Sequence, residues 1–279
     1  MTRRLLPLAL IAAVTLGGPL PARANTLPGK SSAVGIVPHA ALRTESVEYR
    51  DGEQVLEGYF AWDESKAGRR PGVLVVHDWT GINDHTRAVT ERLAKLGYAA
   101  LAVDVYGKGM RPSAPTDAGA EAGKYKQNRA LFRQRLLAGQ RALLAQRQVD
   151  KERTAAIGYC FGGTGVLELA RTGADLDGVV TFHGGLDSPT PADGQNIKAK
   201  VLILHGADDP YVPQKDIDAF LTELRSAKVD WQMIGYGGAV HAFTNPASGD
   251  DPSTGAAYNA AADRRSWLAM QQFLTEIFQ

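Results

Sequence analysis

Cysteine is nearly absent from this chain, with Cys160 the sole example. One thiol excludes an internal disulfide and any metal site built from several thiolates. A surplus of charge is lacking as well. Lysine and arginine number 31 against 30 aspartates and glutamates, a formal net charge of +1, so no basic field draws in nucleic acid or an anionic lipid surface. The apolar run from Leu5 to Leu16 falls short of the roughly 20 residues a spanning helix needs, and no membrane insertion is expected. What is present, 279 residues at 44% hydrophobic and 22% charged, suits one large globular α/β domain or two small ones.

The first residues follow a different pattern. Arg3 and Arg4 precede the Leu5 to Leu16 run, and Gly17-Gly18-Pro19 and Ala22-Arg23-Ala24 come after it. Charged, apolar and small-residue regions in that order read as a secretory signal over residues 1–24, cut after Ala24. Pro7 and the Gly-Gly-Pro break oppose the alternative of a buried N-terminal helix. Cleavage removes Arg3, Arg4 and Arg23 and takes the formal charge from +1 to −2. Residues 25–41 read as an extended leader and 42–279 as a single domain, exported to the periplasm or secreted. A lone free thiol kept in an oxidising compartment is an oxidation hazard, which points to a working role for Cys160.

Around that thiol the sequence is Thr154-Ala-Ala-Ile-Gly158-Tyr-Cys160-Phe161-Gly162-Gly-Thr-Gly. A short β-prone run, a G-x-C-x-G turn and a helical continuation read as a nucleophile elbow. Glycines on either side let strand and helix approach closely enough to hold the turning residue in strained geometry. The Phe161 amide would sit at the helix N-terminus, where the macrodipole favours a thiolate and a developing oxyanion. A lone cysteine among glycines also serves as a small buried hydrophobe, so the elbow needs partners.

Taken in order, Glu45 to Tyr49 and Gln54 to Trp62 alternate around Asp51-Gly52 as a hairpin. Val73 to His77, Tyr98 to Val103, Gly178 to Phe182 and Val201 to His205 read as buried strands, and Val229 to Tyr236 as a later one. Helices are expected from about His85 to Leu96 with Asp84 as N-cap, from Thr116 to Gln148 with its arginines on a solvated face, from Pro213 to Lys228, and from Tyr258 to Phe278. Strands separated by helices imply a mostly parallel sheet wrapped on both faces, with functional loops at the strands' carboxyl ends. Downstream of Cys160, two such loops carry Asp208-Asp209-Pro-Tyr-Val-Pro213 and His241-Ala-Phe, the order nucleophile, acid, histidine. Asp209 is favoured over Asp208 by the Asp-x-x-Val-Pro frame. Among the other histidines, His77, His183 and His205 end strands, while His39 and His85 look like surface positions.

The elbow, the Asp209 loop, His241-Ala-Phe and Asp104-Val-Tyr106-Gly together resemble the dienelactone hydrolase family, from about Glu45 to Phe278. The resemblance implies an α/β-hydrolase fold without a large cap, opening an enol lactone or related small ester through a thioester on Cys160, with no metal or cofactor. It implies oxyanion donors at Phe161 and Trp79 and an acid facing the resting thiol, here Asp78 in place of glutamate. Tyr106 enters as an auxiliary residue. It also implies that Lys108 and Asn245 stand where two arginines hold the substrate carboxylate. Lysine loses the planar two-donor fork and asparagine the charge, so a preference for anionic substrates should shrink. Rival readings are a thioesterase or acyl transferase on the same triad, and a non-catalytic exported binding protein or thiol sensor. A sensor ordinarily needs a resolving thiol, which this chain lacks. A monomer acting on a small-molecule ester or lactone is expected.

Overall fold

The computed structural model describes residues 41–279. The expected signal, the leader as far as residue 40, and His39 lie outside the described residues. Asp51-Gly52 turns the chain between Leu42–Asp51 (β1) and Gln54–Asp63 (β2), which pair antiparallel along their whole length. Then come Arg70–Val76 (β3), Ala99–Val103 (β4), Val149–Tyr159 (β5), Gly178–Phe182 (β6), Lys200–Gly206 (β7) and Trp231–Tyr236 (β8). All eight form one sheet in the order β1-β2-β4-β3-β5-β6-β7-β8. β2 meets β4 antiparallel, and every later pair is parallel.

The helices are Asp84–Leu96 (α1), Pro115–Gln127 (α2), Arg129–Leu144 (α3), Phe161–Arg171 (α4), Gln214–Ala227 (α5) and Ala260–Ile277 (α6). Because strand side chains alternate between faces, each central strand feeds two cores. Val73 and Val75 pack with Val89 and Leu93 of α1 and Met270 and Leu274 of α6. Leu74 and Val76 pack with Phe132 and Leu136 of α3, Leu167 of α4 and Phe220 of α5. The four residues Val73 to Val76 are at most 1% exposed, and burying each contributes about 1.5–3 kcal/mol. A run buried on both faces therefore reads as unbroken hydrophobicity. The parallel centre, its helical layers and the absence of an inserted cap among the described residues are those of an α/β hydrolase. No described helix is long and apolar enough to cross a membrane.

Three expectations change. Asn83, not Asp84, caps α1, its side chain accepting from the Thr86 amide, while Asp84 is the first helical residue. The single helix expected over Thr116 to Gln148 is two. Asn128 ends α2 and caps α3 by accepting from the Leu131 amide at 3.0 Å, the ordinary way an asparagine side chain satisfies a free helical N–H. The arginines of α3 are not all solvated. Arg129 and Arg133 reach Glu168 at 3.5 and 2.7 Å, and Arg171 donates to the same carboxylate at 3.1 Å. Arg171, fully buried, also grips Glu223 with two donors, at 2.7 and 2.9 Å. These charges tie α3, α4 and α5 together beneath the apolar face.

Candidate active site

β5 ends at Tyr159, and α4 begins two residues later at Phe161, leaving Cys160 on the turn with φ 54° and ψ −114°. That backbone needs its glycines. A Cβ on Gly158 would stand 2.0 Å from the Gly162 carbonyl oxygen, and one on Gly162 would stand 2.2 Å from that of Val76. The Cys160 amide donates to Phe182 O on the neighbouring strand at 3.0 Å, which fixes the turn to the sheet.

Two further strand ends supply the partners. After β7, Asp209 folds back so that its amide donates to Gly206 O at 3.1 Å and its Oδ1 accepts from the Tyr211 amide at 2.9 Å. Beyond β8, the His241 backbone is strapped to a distant segment, its amide donating to Gly255 O at 3.2 Å and its carbonyl accepting from Ala257 at 3.0 Å. The result is a continuous chain: His241 Nε2 lies 3.1 Å from Cys160 Sγ, and His241 Nδ1 lies 2.8 Å from Asp209 Oδ2. Asp208 points elsewhere, accepting from the Gly238 amide at 2.8 Å. Burial alone would depress the His241 pKa, but the hydrogen bonds and charges of Asp209 and Cys160 outweigh it and push the value up to about 10. An imidazolium therefore faces the sulfur at neutral pH, a pairing able to support nucleophilic chemistry at the thiol.

Two cavities meet at this chain. The larger, about 690 Å³, is lined among others by Asp78, His85, Tyr159, His183, Thr244 and Asn245; the smaller, about 220 Å³, by Lys126, Phe161, Thr164 and Gly185. Cys160, His241, Trp79 and Tyr211 belong to both. Phe161 lines the smaller cavity and Trp79 both, and among the described residues neither amide donates to a backbone acceptor. Of the four described non-glycine residues with positive φ, Cys160, His183 and Ala242 line the larger cavity. Such backbone costs about 1–3 kcal/mol per residue and gathers at functional sites.

The remaining expected residues divide. Asn245 lines the larger cavity, but its Oδ1 caps a short 3-10 turn by accepting from the Ala247 amide at 3.0 Å. Asp78 lines the cavity without touching the thiol. Its Oδ1 accepts from the amide and hydroxyl of Thr80 at 2.8 and 2.6 Å, and its Oδ2 from Asn83 at 3.0 Å. The partner of the resting sulfur is His241, because the shorter acid is satisfied within its own loop. Tyr106 lies behind the site, donating to Trp79 O at 2.9 Å. Lys108 is outside it altogether, half-exposed and paired with Glu48 at 2.7 Å and Glu57 at 3.6 Å across the β1–β2 surface. The sequence could align Lys108 but could not show that β1 would offer it a carboxylate.

Sequence reasoning missed several cavity residues. His85, read as surface, lines the larger cavity, and burial holds its pKa below the usual histidine value. His183 bonds Thr244 Oγ1 through Nε2 at 2.8 Å, and burial with the nearby His241 charge holds it neutral. Its place at the end of β6 was the available signal. His77 braces the Trp79 loop from beneath, its Nδ1 donating to Asp78 O at 2.5 Å and its Nε2 accepting from the Val105 amide at 3.3 Å. Among the described residues no cluster of three His, Cys, Asp or Glu is disposed as metal ligands.

The comparisons extend this picture. The chain matches the model of the dienelactone hydrolase family over residues 56–278. A putative carboxymethylenebutenolidase from Synechocystis sp. is 28% identical, the alignment covering 85% of this chain and 98% of that protein. The crystal structure of a dienelactone hydrolase-like promiscuous phosphotriesterase from metagenomic libraries is 44% identical, with a TM-score of 0.81 over 86% of this chain and all of the other. A putative dienelactone hydrolase from Klebsiella pneumoniae, 23% identical with a TM-score of 0.72, shares the fold. The family match begins in β2 and ends at the close of α6, taking in the elbow and both partner loops, so this chain belongs to the dienelactone hydrolase family and is a hydrolase.

Proposed function

We propose that the protein cleaves small carboxylic esters or lactones with Cys160 as nucleophile, His241 as acid and base, and Asp209 as the group that orients it. The observation that supports this most directly is the 3.1 and 2.8 Å relay from sulfur to imidazole to carboxylate. The thiolate attacks the ester carbonyl, forming the C–S bond. The oxyanion takes hydrogen bonds from the amides of Phe161 and Trp79. Collapse breaks the C–O bond, His241 delivers its proton to the departing alkoxide, and a thioester remains. Neutral His241 then removes a proton from water, hydroxide adds to the thioester, and thiolate leaves to release the acid.

Cys160→Ala should abolish ester hydrolysis while the fold persists, since a partly exposed thiol contributes little packing. Cys160→Ser should also be poor, because a hydroxyl needs far stronger base assistance than a thiol of pKa roughly 8.5 before tuning. Assays with p-nitrophenyl esters, with and without iodoacetamide, check both. Turnover by Cys160→Ala within a few-fold of the unmodified protein would end this reading. A second reading has support from the 44% identity to a promiscuous phosphotriesterase. The same thiolate could attack the phosphorus of a neutral phosphotriester, forming a P–S bond as the P–O bond to p-nitrophenolate breaks. Water deprotonated by His241 then adds to phosphorus, and the thiolate leaves to release the phosphodiester. Loss of that activity in Cys160→Ala would assign it to the same centre.

A further inference from the structure

The two cavities differ in charge. In the larger one, the Asp78 carboxylate is fully engaged by Thr80 and Asn83, and burial disfavours protonation of both His85 and His183. Apart from the shared His241, it offers no cation. The smaller one has a lysine, Lys126, on the last turn of α2, and no carboxylate lines it. Among the described residues Lys126 enters no ion pair, whereas its neighbour Lys124 is tied to Glu121.

Gly185 shapes the recess. A Cβ there would stand 3.1 Å from Thr164 Oγ1 and 3.7 Å from Lys126 Nζ, so the lysine ammonium reaches the Gly185 backbone beside the Thr164 hydroxyl, and all three residues line the recess. Asp187 Oδ1 is 3.1 Å from the same point, but the carboxylate is held by Arg129 at 2.6 Å and its charge is answered there. Thr164 already donates its hydroxyl proton to Gly185 O at 3.0 Å, which leaves Lys126 as the charged donor available to an incoming anion.

We infer that Lys126 is the residue that recognises substrate charge, and that the smaller cavity seats a short fragment ending in a carboxylate while the larger one takes the rest of the ester. This rests on Cys160 being the nucleophile. It places the anion site on α2, away from both Lys108 and Asn245.

Matched substrates and matched alkylating agents test it separately. For monoethyl succinate against diethyl succinate, Lys126→Met should lower the anion-over-neutral ratio of kcat/KM about tenfold, and Lys126→Arg should retain it. The ratio of Cys160 alkylation rates by iodoacetate and iodoacetamide should fall in the same direction in Lys126→Met, by an amount that shrinks as salt is raised. Lys108→Met should leave both ratios where they were. Unchanged ratios in Lys126→Met, with Cys160-dependent hydrolysis intact, would overturn the anion site alone. Alkylation of Cys160 without hydrolysis of either ester would sink the proposed reaction, while the alkylation ratio would still score Lys126. Labelling of Cys160 by neither reagent would overturn both.

Discussion

The charge state of His241 sets what the proposed nucleophile can do as pH changes. Its pKa lies near 10 because Asp209 and Cys160 favour the imidazolium more than burial opposes it. Below that value the ring carries the proton needed by a departing alkoxide, and above it the proton is gone. For an alkyl ester, kcat/KM should therefore fall by about tenfold per pH unit once the pH passes roughly 10, whereas a p-nitrophenyl ester, whose leaving group needs no proton, should show no such limb. Asp209→Asn should move the limb to lower pH by removing the main stabilising partner. Pre-steady-state or kcat/KM profiles from pH 8 to 11 check this, and parallel profiles for the two esters would contradict the assigned proton donor.

At the scale of elements, the buried ionic cluster decides how α3, α4 and α5 lock. Glu168 is wholly buried and receives three arginines. Replacing an intact buried cluster with apolar groups can be neutral, but removing one partner strands the others. Glu168→Ala should therefore cost about 3–5 kcal/mol, read as a lower urea midpoint, and Arg171→Ala should cost a similar amount by leaving Glu168 and Glu223 underpaired. A double change of Arg171→Met with Glu223→Leu should cost less than Arg171→Ala alone. Equal losses would show that packing, not charge, dominates here. This cluster was invisible in sequence. Arg129 and Arg133 are four apart on one helix and look like solvated positions until Glu168 arrives from another.

For the whole molecule, export is the remaining expectation. With the signal removed, the mature chain should begin near Asn25, and N-terminal sequencing of protein from the native host's periplasm or medium checks it. An intact Met1 form recovered from the cytosol would count against it. Export would also give meaning to the lone thiol, because His241 would hold Cys160 reactive in an oxidising compartment with no second cysteine to trap it.

The sequence alone determined that the sheet is mostly parallel and the order in which the proposed triad residues follow one another along the chain. Apolar runs such as Val73 to Val76 encode burial on both faces, turn residues mark the ends, and the glycines around Cys160 tolerate one backbone path, so each was readable within a few positions. It also favoured Asp209 over its neighbour Asp208 as the proposed acid and His241 as the proposed base. The tertiary structure decided what depends on residues distant in sequence meeting in space. It put Asp209, not Asp208, against His241 because the loop after β7 folds back on itself. It withdrew Lys108 by giving it Glu48, a partner 60 positions away. It brought His85, His183 and Lys126 to the cavities from three separate elements. Local patterning carries backbone propensity and hydrophobic period; the partner that a charged side chain finds is set by packing of the whole chain, and no short stretch of sequence records it.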